Sequence, residues 1–349
     1  MKVNVFKIPQ DSPDDVSGLE QLIQSGAIAP ESIVAILGKT EGNGCVNDFT
    51  RGFATQTLKT YLKQYLEPEA VQAIVFVMSG GTEGVLSPHM NVFTRQPDAP
   101  NAPPRMGLVM GSAKTRPFLP EEIGTTVMVD TVAQSVNAAI AQSGAEIEHI
   151  HFVQIKCPLI TAVQRSHHAP PRKLSSYQSM ALSRGASALG VAVALGEIDL
   201  ATLTDADICN RYDYYSSVAS TSAGIELQNC EIFVLGNAPT STSSCRIGHS
   251  VMQHALDVSA VNAAIAQVGD YQSIINVFAK AEADPSGFIL NRRHTMLDDS
   301  DISHTRMARA VVGSAIASVV QDPMIYVSGG SEHQGPPGGG PVAVIVDRA

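Results

Sequence analysis

The sequence predicts an α/β protein built from three similar repeat units around a pseudo-threefold axis, with a barrel-like core and helices outside. Three observations lead there. Residues 136–144 (VNAAIAQSG) and 261–269 (VNAAIAQVG) are nearly identical, and LEQLIQSG (19–26) is their N-terminal counterpart. Each copy is followed by an apolar, β-branched strand ending in lysine: Lys39, Lys156 and Lys280. Each lysine is followed in turn by an arginine, a serine and a last apolar strand. Self-similarity at this spacing is the signature of a repeated supersecondary unit.

The elements follow in order. Each unit reads as an amphipathic helix, a strand with its lysine, then a second helix led by arginine: Arg51-Gly-Phe-Ala, Arg184-Gly-Ala-Ser and Arg309-Ala-Val-Val. A turn carrying serine, glycine and glutamate comes next: Ser79 to Glu83, Ser222 to Glu226 and Ser328 to Glu332. The strands MNVFTR (90–95), CEIFVLGN (230–237) and VAVIVDR (342–348) close the units. The units span 1–100, 105–238 and 242–349. Pro/Gly-rich stretches at 96–104 and 236–244 read as linkers, and the middle unit carries an insert at 164–178. Three tandem domains without a shared centre would share this periodicity. The polar residues decide for a common centre: lysine, arginine and serine stay in register while the apolar residues drift, the reverse of what core packing alone selects.

Composition narrows the function. Of 349 residues, 44% are hydrophobic, enough for a sizeable core. With 23 Lys+Arg against 33 Asp+Glu the net charge is −10, which argues against nucleic acid as a partner. No apolar run reaches a membrane span, and the N-terminus lacks a secretory stretch, so a cytoplasmic protein is expected. Five cysteines without a C-x-x-C spacing indicate neither a disulfide framework nor a zinc ribbon. The Gly42-x-Gly44 pattern lacks the third glycine of a dinucleotide fingerprint.

Singly, a strand-ending lysine is ordinarily a snorkelling surface residue and a Ser-Gly-Gly merely a turn. Three of each at one centre mean chemistry. A serine needs a base, and a lysine amine serves once desolvation and neighbouring positive charge make it neutral. The arginines stay charged, so the proton lost is a lysine's. Backbone N–H groups after each serine suit an oxyanion. Attack requires one arm to differ. The middle unit does: Ser222 is followed by Ala223 rather than glycine, and Lys156 by Cys157-Pro158, which nominates Ser222 and Lys156 as the reacting pair.

The pieces ILGKTEGNG (36–44), SGGTEG (79–84), STSAGIEL (220–227), FAKAEA (278–283) and SGGSEHQGPPGGGP (328–341) resemble the cyanuric acid hydrolase and barbiturase family of ring-opening amidohydrolases over essentially the whole chain. The resemblance implies a homotetramer with its active site on the pseudo-threefold axis. It implies Ser222 as nucleophile and Lys156 as base. Ser79, Ser328, Lys39 and Lys280 would hold the remaining ring carbonyls, with Arg51, Arg184, Arg309 and the backbone of Gly80, Ala223 and Gly329 as further substrate ligands. It also implies a structural divalent cation, magnesium, at Glu282, Ser331, Gln334, Gly335, Pro336 and Gly339. A Pro/Gly-rich loop offering carbonyl oxygens and one carboxylate suits a hard cation. Cyanuric acid, a flat ring of three C=O and three N–H groups, matches three similar arms better than barbituric acid, in which CH₂ replaces one N–H. The expected reaction opens the cyanurate ring to carboxybiuret, then biuret and carbon dioxide.

Two other readings stand beside it: a barbiturase, and a non-catalytic binder of a small polyanion. His167, His168 and His333 are expected on the surface or behind the site. Glu83, Glu226 and Glu332 either orient the lysines or loop backbone, or cap the following segment.

Overall fold

A computed structural model of the chain describes residues 1–168 and 174–348; the side chains of His167 and His168 lie outside the described residues. The first sheet comprises β1 (Lys2–Pro9), β2 (Ile33–Thr40), β3 (Val75–Gly80) and β4 (His89–Gln96), with α1 (Ser17–Gln24), α2 (Thr50–Leu62) and α3 (Pro68–Ala73) between its strands. The second comprises β5 (Gly107–Lys114), β6 (Ile150–Pro158), β7 (Ala219–Gly224) and β8 (Glu231–Ala238), with α4 (Thr126–Ser143), α5 (Ala162–His168) and α6 (Ser176–Ala194). The third comprises β9 (Cys245–Met252), β10 (Ser273–Ala281), β13 (Tyr326–Gly329) and β14 (Gly340–Asp347), with α7 (Val258–Val268), a hairpin β11 (Phe288–Ile289) and β12 (Arg292–Arg293), and α8 (His304–Val320).

All three sheets have one topology. Their orders are β1-β4-β2-β3, β5-β8-β6-β7 and β9-β14-β10-β13. In each, the lysine strand runs parallel to the serine strand and antiparallel to the last strand. The first strand of each sheet was not among the predicted elements. The serines were expected in turns; they sit in the final residues of β3, β7 and β13 instead. The expected linkers are shorter, because β4 runs to Gln96 and β8 to Ala238. Arg51 opens α2 as expected, but Arg184 lies more than two turns into α6 and Arg309 more than one turn into α8. The residues ahead of both are themselves compatible with helix, so nothing stops the helix from starting earlier.

Local rules account for the helices. The near-identical segments end in Gly144 and Gly269, both at left-handed φ (72° and 74°), where a residue with Cβ would be strained. Asp257 caps α7 by accepting from Ala260 N–H (3.2 Å), and Ser175 and Gln178 form a reciprocal capping box on α6.

Strand alternation then divides the interior into layers. One face of each sheet packs on its own helices. The other joins a shared core containing Leu37, Phe93, Phe152, Phe233, Phe278 and Tyr326. Phe278 meets Phe152 at 5.2 Å and Tyr326 at 5.4 Å between ring centroids, and Phe93 meets Phe233 at 5.0 Å, so the three sheets interlock through aromatic pairs. Among the described residues no helix is long and apolar enough to cross a membrane.

Candidate active site on the pseudo-threefold axis

Strand parity puts the lysines inside. In β2, Ala35 and Leu37 face the shared core and Ile36 faces the helices, so Lys39 continues the inner row. In β6, Phe152 faces in while Val153 and Ile155 face out, leaving Lys156 inside. In β10, Phe278 faces in while Val277 and Ala279 face out, and Lys280 follows inside. The parallel register sets Lys39 beside Ser79, Lys156 beside Ser222 and Lys280 beside Ser328. All three lysines are at most 1% exposed, with none of the surface placement a lone strand-ending lysine normally has.

Each lysine nitrogen also reaches the next sheet. Lys39 Nζ donates to Val327 O (2.7 Å), Lys280 Nζ to Thr221 O (2.8 Å) and Lys156 Nζ to Met78 O (3.2 Å). Each acceptor is the carbonyl immediately before a serine, and the bonds run first sheet to third, third to second, second to first. A closed cycle of equivalent contacts of this kind requires an axis. Around it a single cavity is lined by Ser79, Ser222, Ser328, Arg51, Arg184, Arg309 and the backbone of Gly80, Ala223 and Gly329. The sequence-predicted serines, arginines and backbone positions thus meet at one place.

The arms are equivalent only in part. Lys39 Nζ donates to Ser79 Oγ (3.2 Å) and Lys280 Nζ to Ser328 Oγ (3.1 Å). Lys156 pairs with Glu226 (2.8 Å) rather than with Ser222, whose Oγ lies 3.1 Å from Ser328 Oγ. Burial and the Arg309 charge press Lys39 well below the ordinary lysine value, and burial with Arg184 brings Lys280 down to about 7. Burial also lowers Lys156, but Glu226 works against it and Arg51 with it. Burial would raise the Glu226 carboxyl, yet Lys156 and Arg51 hold it at about 2.

The three glutamates divide: Glu226 rests on a lysine, one of the roles expected, whereas Glu83 and Glu332 each grip an arginine, a partner not expected. Glu83 pairs with Arg309, through Nε (2.8 Å) and Nη2, and Glu332 takes Arg184 through Nε (2.8 Å) and Nη2 (2.6 Å). Each pair joins a loop of one unit to a helix of another, and only Glu226 touches a lysine. The difference begins in the backbone. Gly81 and Gly330 adopt left-handed φ (109° and 76°) and pack directly on Arg309 and Arg184. Gly224 keeps strand geometry: β7 pairs one residue further, Pro158 to Gly224, where β3 stops at Gly80 and β13 at Gly329. Arg51 therefore lacks a carboxylate fork. Its Nη2 donates to Cys45 O (2.7 Å), its Nη1 to Ala223 O (3.2 Å), and its Nε, 3.8 Å from Asp48, makes no hydrogen bond.

Asp48 was missed in the sequence. It is buried, accepts from Gly44 N–H (2.8 Å) and Thr50 N–H (3.0 Å), and would collide with any Cβ on Gly42 or Gly80. The Gly42-x-Gly44 pattern, considered above only as a nucleotide fingerprint, was its signal: those glycines let the turn close over this carboxylate.

The residues expected to hold a cation lie behind the third arm. Glu282, Ser331 and Gly335 line a cavity of about 220 Å³ together with Tyr212 and His304. Pro336 O accepts from Gly339 N–H (2.9 Å). Gln334 turns inward, accepting from Thr221 N–H (2.8 Å) and tying the loop to β7. Glu282 accepts from His304 (3.0 Å). Among the described residues no three or more His, Cys, Asp or Glu are grouped so that they could hold a metal ion. His333, buried, takes Cys209 N–H on Nε2 (2.7 Å) and contacts Tyr214 O through Nδ1 (2.6 Å), a structural role behind the site.

The chain resembles known proteins along its whole length. Residues 4–347 match the model of the amidohydrolase ring-opening proteins. A cyanuric acid amidohydrolase of Bradyrhizobium diazoefficiens is 53% identical, covering 98% of this chain and 97% of its own. One of Enterobacter cloacae is 50% identical with 100% of both chains covered. A solved cyanuric acid hydrolase, described as an evolutionary innovation by structural concatenation, superposes with a TM-score of 0.94 at 49% identity, covering 99% of each chain. The cyanuric acid hydrolase from A. caulinodans superposes at 0.93 and 50% identity, covering 100% of this chain and 99% of that one. The non-catalytic binder considered from sequence gives way to an enzyme: this chain belongs to the ring-opening amidohydrolases and is a hydrolase.

Proposed function

We propose that the protein is a cyanuric acid amidohydrolase that opens the ring to carboxybiuret, which loses carbon dioxide to leave biuret. One observation carries the reading: three lysine–serine register pairs closed into a cycle of Lys-to-carbonyl bonds, a threefold set of arms for a ring with three carbonyls and three N–H groups. Ser222 Oγ attacks one ring carbonyl and Lys156, as neutral amine, takes its proton. The amides after the serines and the arginines hold the carbonyl oxygens as charge develops on them. The C–N bond breaks, the ring nitrogen regains a proton, and water releases the acyl group from Ser222.

A second assignment has its own support, because the lysine–serine hydrogen bonds already standing are Lys39–Ser79 and Lys280–Ser328. A Ser→Ala series separates the three. Ser222→Ala is expected to lower turnover at least about 10³-fold. Ser79→Ala and Ser328→Ala should mainly weaken substrate binding. Full turnover by Ser222→Ala moves the nucleophile to another arm. Parallel assays on barbiturate decide the substrate, and faster barbiturate turnover overturns the choice of cyanurate.

Two further parts of the proposal concern assembly. The enzyme works as a cytoplasmic homotetramer, and a trimer or monomer in sedimentation would refute the oligomeric state. A magnesium-like cation sits at the loop of Ser331, Gln334, Gly335, Pro336 and Gly339 with Glu282 as its anionic donor. That donor set, one carboxylate and loop carbonyls, fits a hard cation, which would compete with His304 for Glu282. The ion would stiffen the loop that carries Glu332. A thermal midpoint unmoved by EDTA and by added magnesium argues against it.

A further inference from the structure

The broken symmetry at the second arm has a specific form. In two arms a glutamate four residues after the serine grips the Nε and Nη2 of an arginine on a helix of a neighbouring unit. In the third, the corresponding Arg51 is 4% exposed, its Nη2 is spent on Cys45 O, and its Nε is buried with no hydrogen bond. A buried donor left unmade is costly, and such groups in native proteins ordinarily have a partner in some state of the molecule. The carboxylate that would complete the fork, Glu226, is close enough for Arg51 to act on its charge, yet it rests on Lys156. Its side chain is 29% exposed, against 14% for Glu332 and 15% for Glu83, so it has room to move.

We propose that Glu226 is a two-station positioning residue: on Lys156 it keeps the amine protonated and away from Ser222, and on Arg51 Nε it completes the third carboxylate–guanidinium fork and frees Lys156 for Ser222. When Glu226 leaves, the Lys156 ammonium passes its proton to water and becomes the neutral amine. Glu226 arrives on Arg51 as a carboxylate, so charge and protons balance. The groups facing Lys156 are Arg51 from α2, Glu226 from the loop after β7 and Cys157 from β6 itself, with Asp48 held beside Arg51. Of these, Glu226 is the one whose removal strips a stabilising negative charge from the ammonium without touching the guanidinium. The other two arms show the alternative arrangement standing: with Glu83 on Arg309 and Glu332 on Arg184, Lys39 and Lys280 each donate to their serine.

This inference rests on the Ser222–Lys156 assignment, and the test keeps the two apart. The readout is kcat/KM for cyanurate ring opening against pH, whose acidic limb reports loss of the proton from the base. Glu226→Gln removes the ion pair, so the limb moves to lower pH by about one unit, the low end of what an adjacent opposite charge contributes. Arg51→Lys removes the second station and leaves Glu226 on Lys156, so the limb moves to higher pH. A merely structural role for Glu226 lowers activity without moving the limb. Shifts that are absent, reversed or of the same sign in the two variants overturn the proposal. If Glu226→Gln does not fold, the direction in Arg51→Lys decides alone. Undiminished turnover by Ser222→Ala removes the underlying assignment instead, whatever the two profiles do.

Discussion

Arg184→Met tests the clamps that join the units at the axis. Arg184 from α6 and Glu332 after β13 form a two-pronged pair at 2.8 and 2.6 Å, with side chains 13% and 14% exposed. Burial alone would raise the Glu332 carboxyl; Arg184 is what holds it below the ordinary range. Methionine keeps most of the stem volume but leaves the carboxylate without its counter-ion. Removing one partner of a buried pair costs about 3–5 kcal/mol, and the residual exposure here points to the lower end, about 3 kcal/mol. Glu332→Gln, which leaves the guanidinium unmatched, should cost a similar amount. In the double variant neither charge is stranded, so its loss should fall short of the sum by more than about 1 kcal/mol. The chain has no tryptophan, so urea unfolding is best followed by far-ultraviolet circular dichroism. The sign with pH is also fixed. A carboxyl depressed in the fold stabilises above its unfolded value and loses that contribution as pH falls, whereas the stranded, raised carboxyl of Arg184→Met recovers stability as it is protonated, so the gap narrows with falling pH, first above about pH 4.3 through the variant and then below it through wild type. A cost under about 1 kcal/mol, or additivity within about 0.5 kcal/mol, would refute the reasoning.

Two further outcomes are expected. Phe278→Ala opens a cavity among Phe93, Phe152 and Tyr326, from all three sheets, and should cost about 3–5 kcal/mol in the same unfolding assay; a loss below about 1 kcal/mol means the aromatic core does not tie the units together. His151 on β6 and His249 on β9 face each other across the seam between the second and third sheets, Nδ1 to Nδ1 at 2.8 Å, which leaves room for one proton between them. Burial, helped by the His249 charge, drives His151 down to about 3, and burial also lowers His249. Unfolded histidine takes a proton near pH 6.5, whereas buried His151 stays neutral down to about 3 and His249 stays neutral to below its ordinary value, so stability falls as pH drops below about 6.5, by up to about 1.4 kcal/mol per unit for each group while it remains neutral in the fold. His151→Gln should flatten that slope between about pH 6 and 4, and an unchanged slope sinks the account.

What could be read in advance follows from where the constraint lies. Lys39, Lys156 and Lys280 were legible because a charge at the inner end of a strand can be replaced by nothing else, whereas the apolar residues before them exchange freely. Their inward direction needed only the two-residue period counted from Leu37, Phe152 and Phe278. The first strand of each sheet was illegible for the opposite reason: KVNVFKIP, GLVMGSAK and CRIGHSVM carry no recurrent polar residue, and strand propensity alone is a weak, context-dependent signal. The partners of the glutamates were beyond sequence as well, since Glu83–Arg309 and Glu332–Arg184 join residues 226 and 148 positions apart. Most instructive is the middle arm. That Ala223 stands where the other arms have glycine was visible and marks the arm whose contacts differ, but the difference is not a change of side chain at the serine. It lies in the next residue: Gly224 stays extended where Gly81 and Gly330 turn left-handed, and that single dihedral choice redirects Glu226 from an arginine to a lysine. Three copies of one module share their residue types, yet one arm departs from the other two: Glu226 rests on Lys156, whereas Glu83 and Glu332 rest on arginines. Here the difference is made by backbone conformation, which leaves the repeated residue types intact and so leaves the repeat readable while hiding the asymmetry.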